Sequence, residues 1–101
     1  MIKRVDKSYA IFSFENENKI SIKNANRFKI KVLRAIVEPK ITSIIIDLQG
    51  LKFMDTYGAE VLVTLRKFAR KKQKKLLLKN ISPDFHEIID LLRIESDFQI
   101  I

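Results

Sequence analysis

The chain has no cysteine, so it can form neither a disulfide framework nor a thiolate metal site. That agrees with a reducing compartment, and a cytoplasmic location is expected. A single histidine, His86, and no clustered acids make a metal site improbable. The two glycines, Gly50 and Gly58, stand apart, so there is no glycine-rich phosphate loop. A nucleophile elbow and a catalytic carboxylate pair are also missing, and the expectation is a protein that is not an enzyme and carries no cofactor of its own. No apolar run approaches the ~20 residues of a membrane span. The basic start, Met1 to Arg4, is followed by Asp6, Lys7 and Ser8 rather than by the apolar stretch of a signal peptide. Repeats and low-complexity linkers are absent as well.

What is present is a 101-residue chain with a net charge of +8, expected to fold as one domain over residues 1–101. The charge is segmental. Arg66 to Lys75 holds Arg66, Lys67, Arg70, Lys71, Lys72, Lys74 and Lys75 and no acid, so most of the excess sits in that one stretch. A second acid-free basic stretch runs from Lys19 to Arg34. Within it Arg27, Lys31 and Arg34 line one side of an expected helix. With Arg66, Lys67, Arg70 and Lys71 they form the expected basic surface. A solvated helix face, an acidic protein, an anionic membrane surface and nucleic acid all fit such a surface. Nucleic acid ranks below protein, because readers of nucleic acid interleave exposed aromatics or amides with their charge. Here Phe68 and Gln73 are the only aromatic and amide residues in the basic run, and Phe68 is expected on the core face.

Hydrophobic periodicity sets the order of elements. Ile2–Asp6 and Tyr9–Glu15 read as strands, the second with Ala10, Phe12 and Phe14 on one face. Asn16 to Asn18 reads as a turn and Ile20–Ile22 as a short strand. A first helix is predicted over Ala25–Val37, capped by Asn24, with Ala25, Phe28, Val32 and Ile36 on its apolar face and Pro39 beyond its end. Thr42–Leu48 is a strand, and Ile44 to Ile46 is a β-branched run suited to burial on both faces. A second helix is predicted over Tyr57–Lys72, with Val61, Leu62, Leu65, Phe68 and Ala69 inward and its basic residues in the half that favours cations. Leu76–Leu78 is a strand. Ser82-Pro83-Asp84 starts a third helix, with Phe85, Ile88, Ile89 and Leu92 on one face. Ile94, Phe98, Ile100 and Ile101 form a final element returning to the sheet. Strands alternating with helices predict an α/β fold with a mixed, mostly parallel sheet of four to five strands and three main helices.

The chain is organised around Ile44 to Gly58, a strand, a connection that returns to the core at Phe53 and Met54, and a sharp turn into the second helix. Asp55 or Thr56 is placed to cap that helix. A capping threonine is common. One lying between a parallel strand and a helix N-terminus is also where ligands of such sheets gather. The stretch Asp47-Leu48-Gln49-Gly50-Leu51-Lys52-Phe53-Met54-Asp55-Thr56-Tyr57-Gly58 resembles the signature of STAS domains, the family of the bacterial anti-sigma-factor antagonists. The resemblance extends through Lys75 to Ser82-Pro83 and Ile100-Ile101, and back to Asn24-Ala25.

The resemblance implies that Thr56 is the phosphoacceptor and that Asp55 shapes its site. Gly58 would permit close approach of backbone or partner. Tyr57, unusual in its slot, is either a half-buried ring or a partner contact. Ser21 and Asn24 complete the expected partner-binding set of Asp55, Thr56, Tyr57, Gly58, Ser21 and Asn24. The partner would be a kinase-type anti-sigma factor that supplies its own ATP, with phosphorylation ending the binding. The alternatives are a STAS subunit acting on the ATPase of a phospholipid-transport ABC complex, or a basic module for anionic surfaces. The sequence departs from the family in several places: Asn18-Lys19-Ile20-Ser21 stands where Gly-Glu-Leu-Asp is usual before the first helix, Ala59 and Glu60 follow the motif glycine where small residues are usual, and Gln73 rather than a glycine separates the second helix from the next strand.

Overall fold

The computed structural model describes residues 1–94 and 98–101. In chain order the elements are β1 (Ile2–Asp6), β2 (Tyr9–Ser13), β3 (Lys19–Ile20), α1 (Ala25–Ile36), β4 (Ser43–Asp47), β5 (Phe53–Met54), α2 (Thr56–Lys71), β6 (Lys75–Lys79), α3 (Pro83–Leu91) and β7 (Gln99–Ile100). The main sheet has five strands in the order β1-β2-β4-β6-β7. Only β1 and β2 pair antiparallel, through a two-residue connection at Lys7 and Ser8. The pairs β2–β4, β4–β6 and β6–β7 are parallel. The expected mixed, mostly parallel sheet with three helices is what forms.

Register explains the core. Ala10, Ile44 and Leu76 stand in one row across the sheet and Phe12, Ile46 and Leu78 in the next, all pointing to one face and all buried. That face meets the apolar stripe of α1 (Ala25, Phe28, Val32, Ile36) and that of α2 (Val61, Leu62, Leu65, Ala69) in one continuous core. Phe14 and Phe28 pack as tilted rings with centroids 5.1 Å apart, and each fully buried side chain of this size contributes about 1.5–3 kcal/mol. The opposite face carries Ile11, Ile45 and Leu77 in one row. Ile11 and Ile45 are only half-buried there, so β4 is not covered on both faces as its triple isoleucine suggested. The antiparallel β1 at one edge marks the sheet as mixed, and mixed sheets can leave one face partly open.

Side chains lock the ends of the strands. Asp47 accepts from the Asn80 amide at 3.0 Å and from the Gln49 backbone at 3.1 Å, joining the turns after β6 and β4. Ser82 caps α3 by accepting from Phe85 N at 3.1 Å while donating to the Leu51 carbonyl at 2.9 Å. Its predicted role therefore holds and is doubled by a tertiary bond. Lys74 donates its ammonium to the carbonyls of Glu38 and Ile41, fastening the α2–β6 turn to the α1–β4 turn.

Two local readings are corrected. The short strand is Lys19–Ile20, not Ile20–Ile22, because Ser21 and the two residues after it turn into α1. Asn24 occupies the N-cap position but makes no side-chain cap bond. Its oxygen accepts from Ser21 N at 2.9 Å, and its amide donates to the Lys19 carbonyl at 2.8 Å and to Glu17 at 3.1 Å, so it braces the preceding loop instead. Phe68 packs against the core as expected but stays half-buried at the flank of α2, and the Lys72 ammonium lies 5.6 Å from its ring centroid. The tail does return to the sheet, with Leu77 beside Gln99 and Leu78 beside Ile100; the part of it between Ile94 and Phe98 lies outside the described residues.

Helix α2 ends without glycine. Gln73 takes the left-handed conformation (φ 60°), while Gln73 N bonds Arg70 O at 3.0 Å and Lys74 N bonds Ala69 O at 2.8 Å. This is a Schellman cap with a residue that pays a steric cost of about 1–2 kcal/mol there. Gln73→Gly is expected to raise stability by about 1 kcal/mol once the extra freedom of glycine in the unfolded chain is set against that relief. Thermal unfolding followed by circular dichroism should show a Tm about 4–8 °C higher. An unchanged or lower Tm would mean the turn is unstrained.

Candidate functional site

The N-terminus of α2 is assembled by a second, two-stranded sheet. β3 and β5 pair in parallel, with Lys19 beside Phe53 and Ile20 beside Met54. The pairing continues as Asp55 N bonds the Ile20 carbonyl at 3.1 Å. The Asp55 side chain then divides its two oxygens. One accepts from Gly58 N at 2.7 Å, which caps α2, and the other accepts from Ile22 N at 3.0 Å, on the loop leading to α1. Of the two candidate caps, Asp55 is therefore the cap and Thr56 is the first helical residue.

Gly58 explains why the two segments come so close. A Cβ at this position would lie 2.7 Å from the Ile20 carbonyl oxygen and 3.0 Å from the Ile20 side chain. Its close approach is to the chain's own β3. Ser21, 7% exposed, is likewise enclosed, its hydroxyl accepting from Lys23 N at 3.3 Å. The expected partner-binding set thus separates by depth. Gly58 and Ser21 are buried, Asp55, Asn24 and Tyr57 are half-buried, and Thr56 is exposed. Tyr57 packs against the core as a half-buried ring. All six residues border one junction, where the loop before α1 meets the start of α2.

Thr56 opens onto a groove of about 420 Å³, lined also by Ala59, Glu60, Val63, Thr64, Leu92 and Ile94. Leu92, expected on the core face of α3, stands 38% exposed here. Sequence periodicity missed this wall: it placed Leu92 at a core position of α3 but could not show that α3 ends before covering it. Ile22 was missed for another reason, since what it contributes is a backbone N–H, which leaves no trace in residue type. Its side chain, 70% exposed, and that of Phe53, 50% exposed, add apolar surface at the same junction. Among the described residues no group of three or more His, Asp or Glu could hold a metal, and no helix is long and apolar enough to cross a membrane.

The predicted basic surface does not form one patch. Arg66 and Arg70 line a hollow with Lys74, Lys75, Phe98 and Gln99. Arg34 lines a groove between α1 and α2 with Leu33, Val37, Thr64 and Phe68. Arg27 borders a third depression with residues of the 16–24 loop. Lys67 and Lys71 are exposed, and Lys31 is half-buried.

The STAS domain family model matches residues 3–101. The chain belongs to the STAS domain family. Solved STAS-type structures superpose closely. An anti-sigma-factor antagonist (STAS) domain protein from Planctomyces limnophilus gives a TM-score of 0.86 at 19% identity, over 98% of this chain and 86% of that one. The Bacillus cell fate determinant SpoIIAA in its phosphorylated form gives 0.72 at 16% identity, over 97% and 86%. A sulfate transporter family protein from Wolinella succinogenes gives 0.79 at 18% identity, over 97% and 80%. At these identities the likeness is one of fold. No curated protein shows significant sequence similarity to the chain.

Two substitutions test the construction of this STAS junction. In Gly58→Ala, overpacking against Ile20 costs about 1–3 kcal/mol and outweighs the gain of up to ~1 kcal/mol in helix propensity. Urea unfolding should show a net loss; a gain in stability would contradict the close contact. Asp55→Ala removes the cap and the tie to Ile22 N–H, which is exposed and can turn to water, with an expected loss of about 1 kcal/mol. Asp55→Asn keeps an acceptor and should lose clearly less in the same assay.

Proposed function

We propose that this STAS domain is an anti-sigma-factor-antagonist-like switch, a binding module whose docking is governed by the charge state of Thr56. The observation that carries the reading is the exposure of Thr56 at the first position of α2, beside an apolar groove, with Asp55 fully engaged in holding the turn beneath it. Unmodified, the hydroxyl and the groove present a largely apolar surface to a kinase-type anti-sigma factor. On phosphorylation the partner's ATP gives up its γ-phosphoryl. A bond forms from Thr56 Oγ1 to phosphorus, the bond to the ADP oxygen breaks, and the hydroxyl proton passes to a base on the partner. The site then gains roughly −1.5 to −2 charges. The chain itself tolerates them, because a helix N-terminus favours negative charge. The partner does not, because docking would press its surface onto a charged phosphate and strip that charge of water. The Bacillus protein of the same fold, known in a phosphorylated form, supports the reading.

A second reading keeps the fold and the surface but changes the partner to a transporter ATPase. Lys19 and Ser21 stand where the family usually places acids, and exposed Lys19 and Lys23 make this side of the junction basic, which favours an ATPase with a surface of different charge.

Affinity capture from native lysate with the full chain, Thr56→Asp and Thr56→Val separates these. An ATPase should be retained by the wild type and by Thr56→Val and lost by about tenfold or more, roughly 1.4 kcal/mol, with Thr56→Asp. A histidine-kinase-like ATPase supports the first reading and a transport ATPase the second. Equal capture by wild type and Thr56→Asp would remove the switch.

A further inference from the structure

The two acid-free basic segments meet at a place that shares only Thr64 with the groove beside Thr56. Helices α1 and α2 pack side by side, and the C-terminal halves of both leave an open apolar groove lined by Leu33, Arg34, Val37, Thr64 and Phe68, about 450 Å³ in volume. Val37 is 56% exposed and Ile30 is 42% exposed. On α1, Arg27, Ile30, Arg34 and Val37 recur at helical spacing on one exposed stripe. On α2, Lys67 and Lys71 follow Thr64 at three and seven residues, and Lys72 reaches over the Phe68 ring. The floor is therefore apolar and the rim cationic on both sides. The acids nearest in sequence are Glu60, one turn before Thr64, and Glu38, just beyond α1.

We propose that this groove is a docking site for an acidic amphipathic helix of a protein partner. The shape decides between anionic partners. A bilayer engages apolar side chains that project from the surface, whereas Phe68 lies half-buried under an ammonium group. Single-stranded nucleic acid needs an open ring face to stack on, and this ring face is occupied by Lys72. A helix laid along the seam can set one or two apolar anchors over Leu33, Val37 and Phe68. Its flanking carboxylates then meet Arg34, Lys67, Lys71 and Lys72 along the rim. Phe68 stands twelve residues after Thr56 on α2, about 18 Å along the helix, and the two grooves share Thr64 alone in their linings, so the floor of this one lies away from the proposed switch.

The test uses the full chain and a fluorescent synthetic peptide of about 18 residues, with leucines on one helical face and glutamates flanking them. Two control peptides have the same composition in scrambled order, or lysine for glutamate. Vesicles of mixed phosphatidylglycerol and phosphatidylcholine form a parallel arm. Fluorescence anisotropy should show binding of the amphipathic acidic peptide about tenfold or more tighter than of either control, weakening as salt rises. Val37→Asp and the pair Arg34→Glu with Lys71→Glu should each reduce affinity about tenfold, with circular dichroism unchanged. Thr56→Asp should leave it unaltered, which separates failure here from failure of the switch. Equal binding of the scrambled peptide, undiminished binding by the groove variants, or recruitment to vesicles without binding of the peptide would each overturn the proposal.

Discussion

The Asp55 carboxylate is the tie on which the functional end of the molecule depends. With one oxygen it caps α2, and with the other it holds the loop that starts α1. The glycine at position 58 lets α2 press against the Ile20 carbonyl, so the cap, the β3–β5 pairing and the helix start are a single contact surface. Remove either element and Thr56 loses a fixed direction. Because the anchoring is done by a neighbour, the Thr56 side chain is left at the surface. A phosphate there would meet the positive end of the helix without disturbing its support. The division of labour between adjacent residues, one structural and one presented, is what makes the site suitable for a switch.

Helix α2 also organises the rest of the surface. Its N-terminal turn carries no cation, while its C-terminal half carries four and Lys72 follows at the C-cap, in keeping with the helix dipole. The same helix face contributes Thr64 to both grooves, one beside Thr56 and one beside Phe68. The two ends thus present chemically opposite surfaces on one rigid rod. At its C-terminus the chain turns through Gln73 and at the end of α3 through Arg93, both with positive φ. With only two glycines available, ordinary residues occupy left-handed turns, and the fold carries their strain because the backbone bonds and core packing around them hold.

Most of the architecture was legible in advance. Alternation in Ala10, Phe12 and Phe14 gave the inner face of β2, and the spacing of Ala25, Phe28, Val32 and Ile36 gave the inner face of α1. Ser82-Pro83 marked the start of α3, since these residues act through their immediate neighbours. The junction around Thr56 was legible through its motif. Its mechanics were not, because the acceptor for Gly58 is local while the donor at Ile22 lies 33 residues away. Asn24 was misread for the same reason: its side chain is recruited by Ser21, Lys19 and Glu17 in a loop whose shape depends on β3 meeting β5.

The sequence by itself therefore determined periodicity, element order, local caps and the segmental placement of charge, all of which depend on spacing along the chain. Tertiary structure alone decided that the run Ile44–Ile46 is only partly covered on its second face, that Gly58 meets the chain's own backbone, that Leu92 lines a groove and not the core, and that Phe68 borders a groove as well as the core. It also decided that the predicted basic surface divides among three depressions. These outcomes depend on which surfaces meet across long sequence separations, and helical or strand spacing fixes the direction of a side chain but not what lies opposite it.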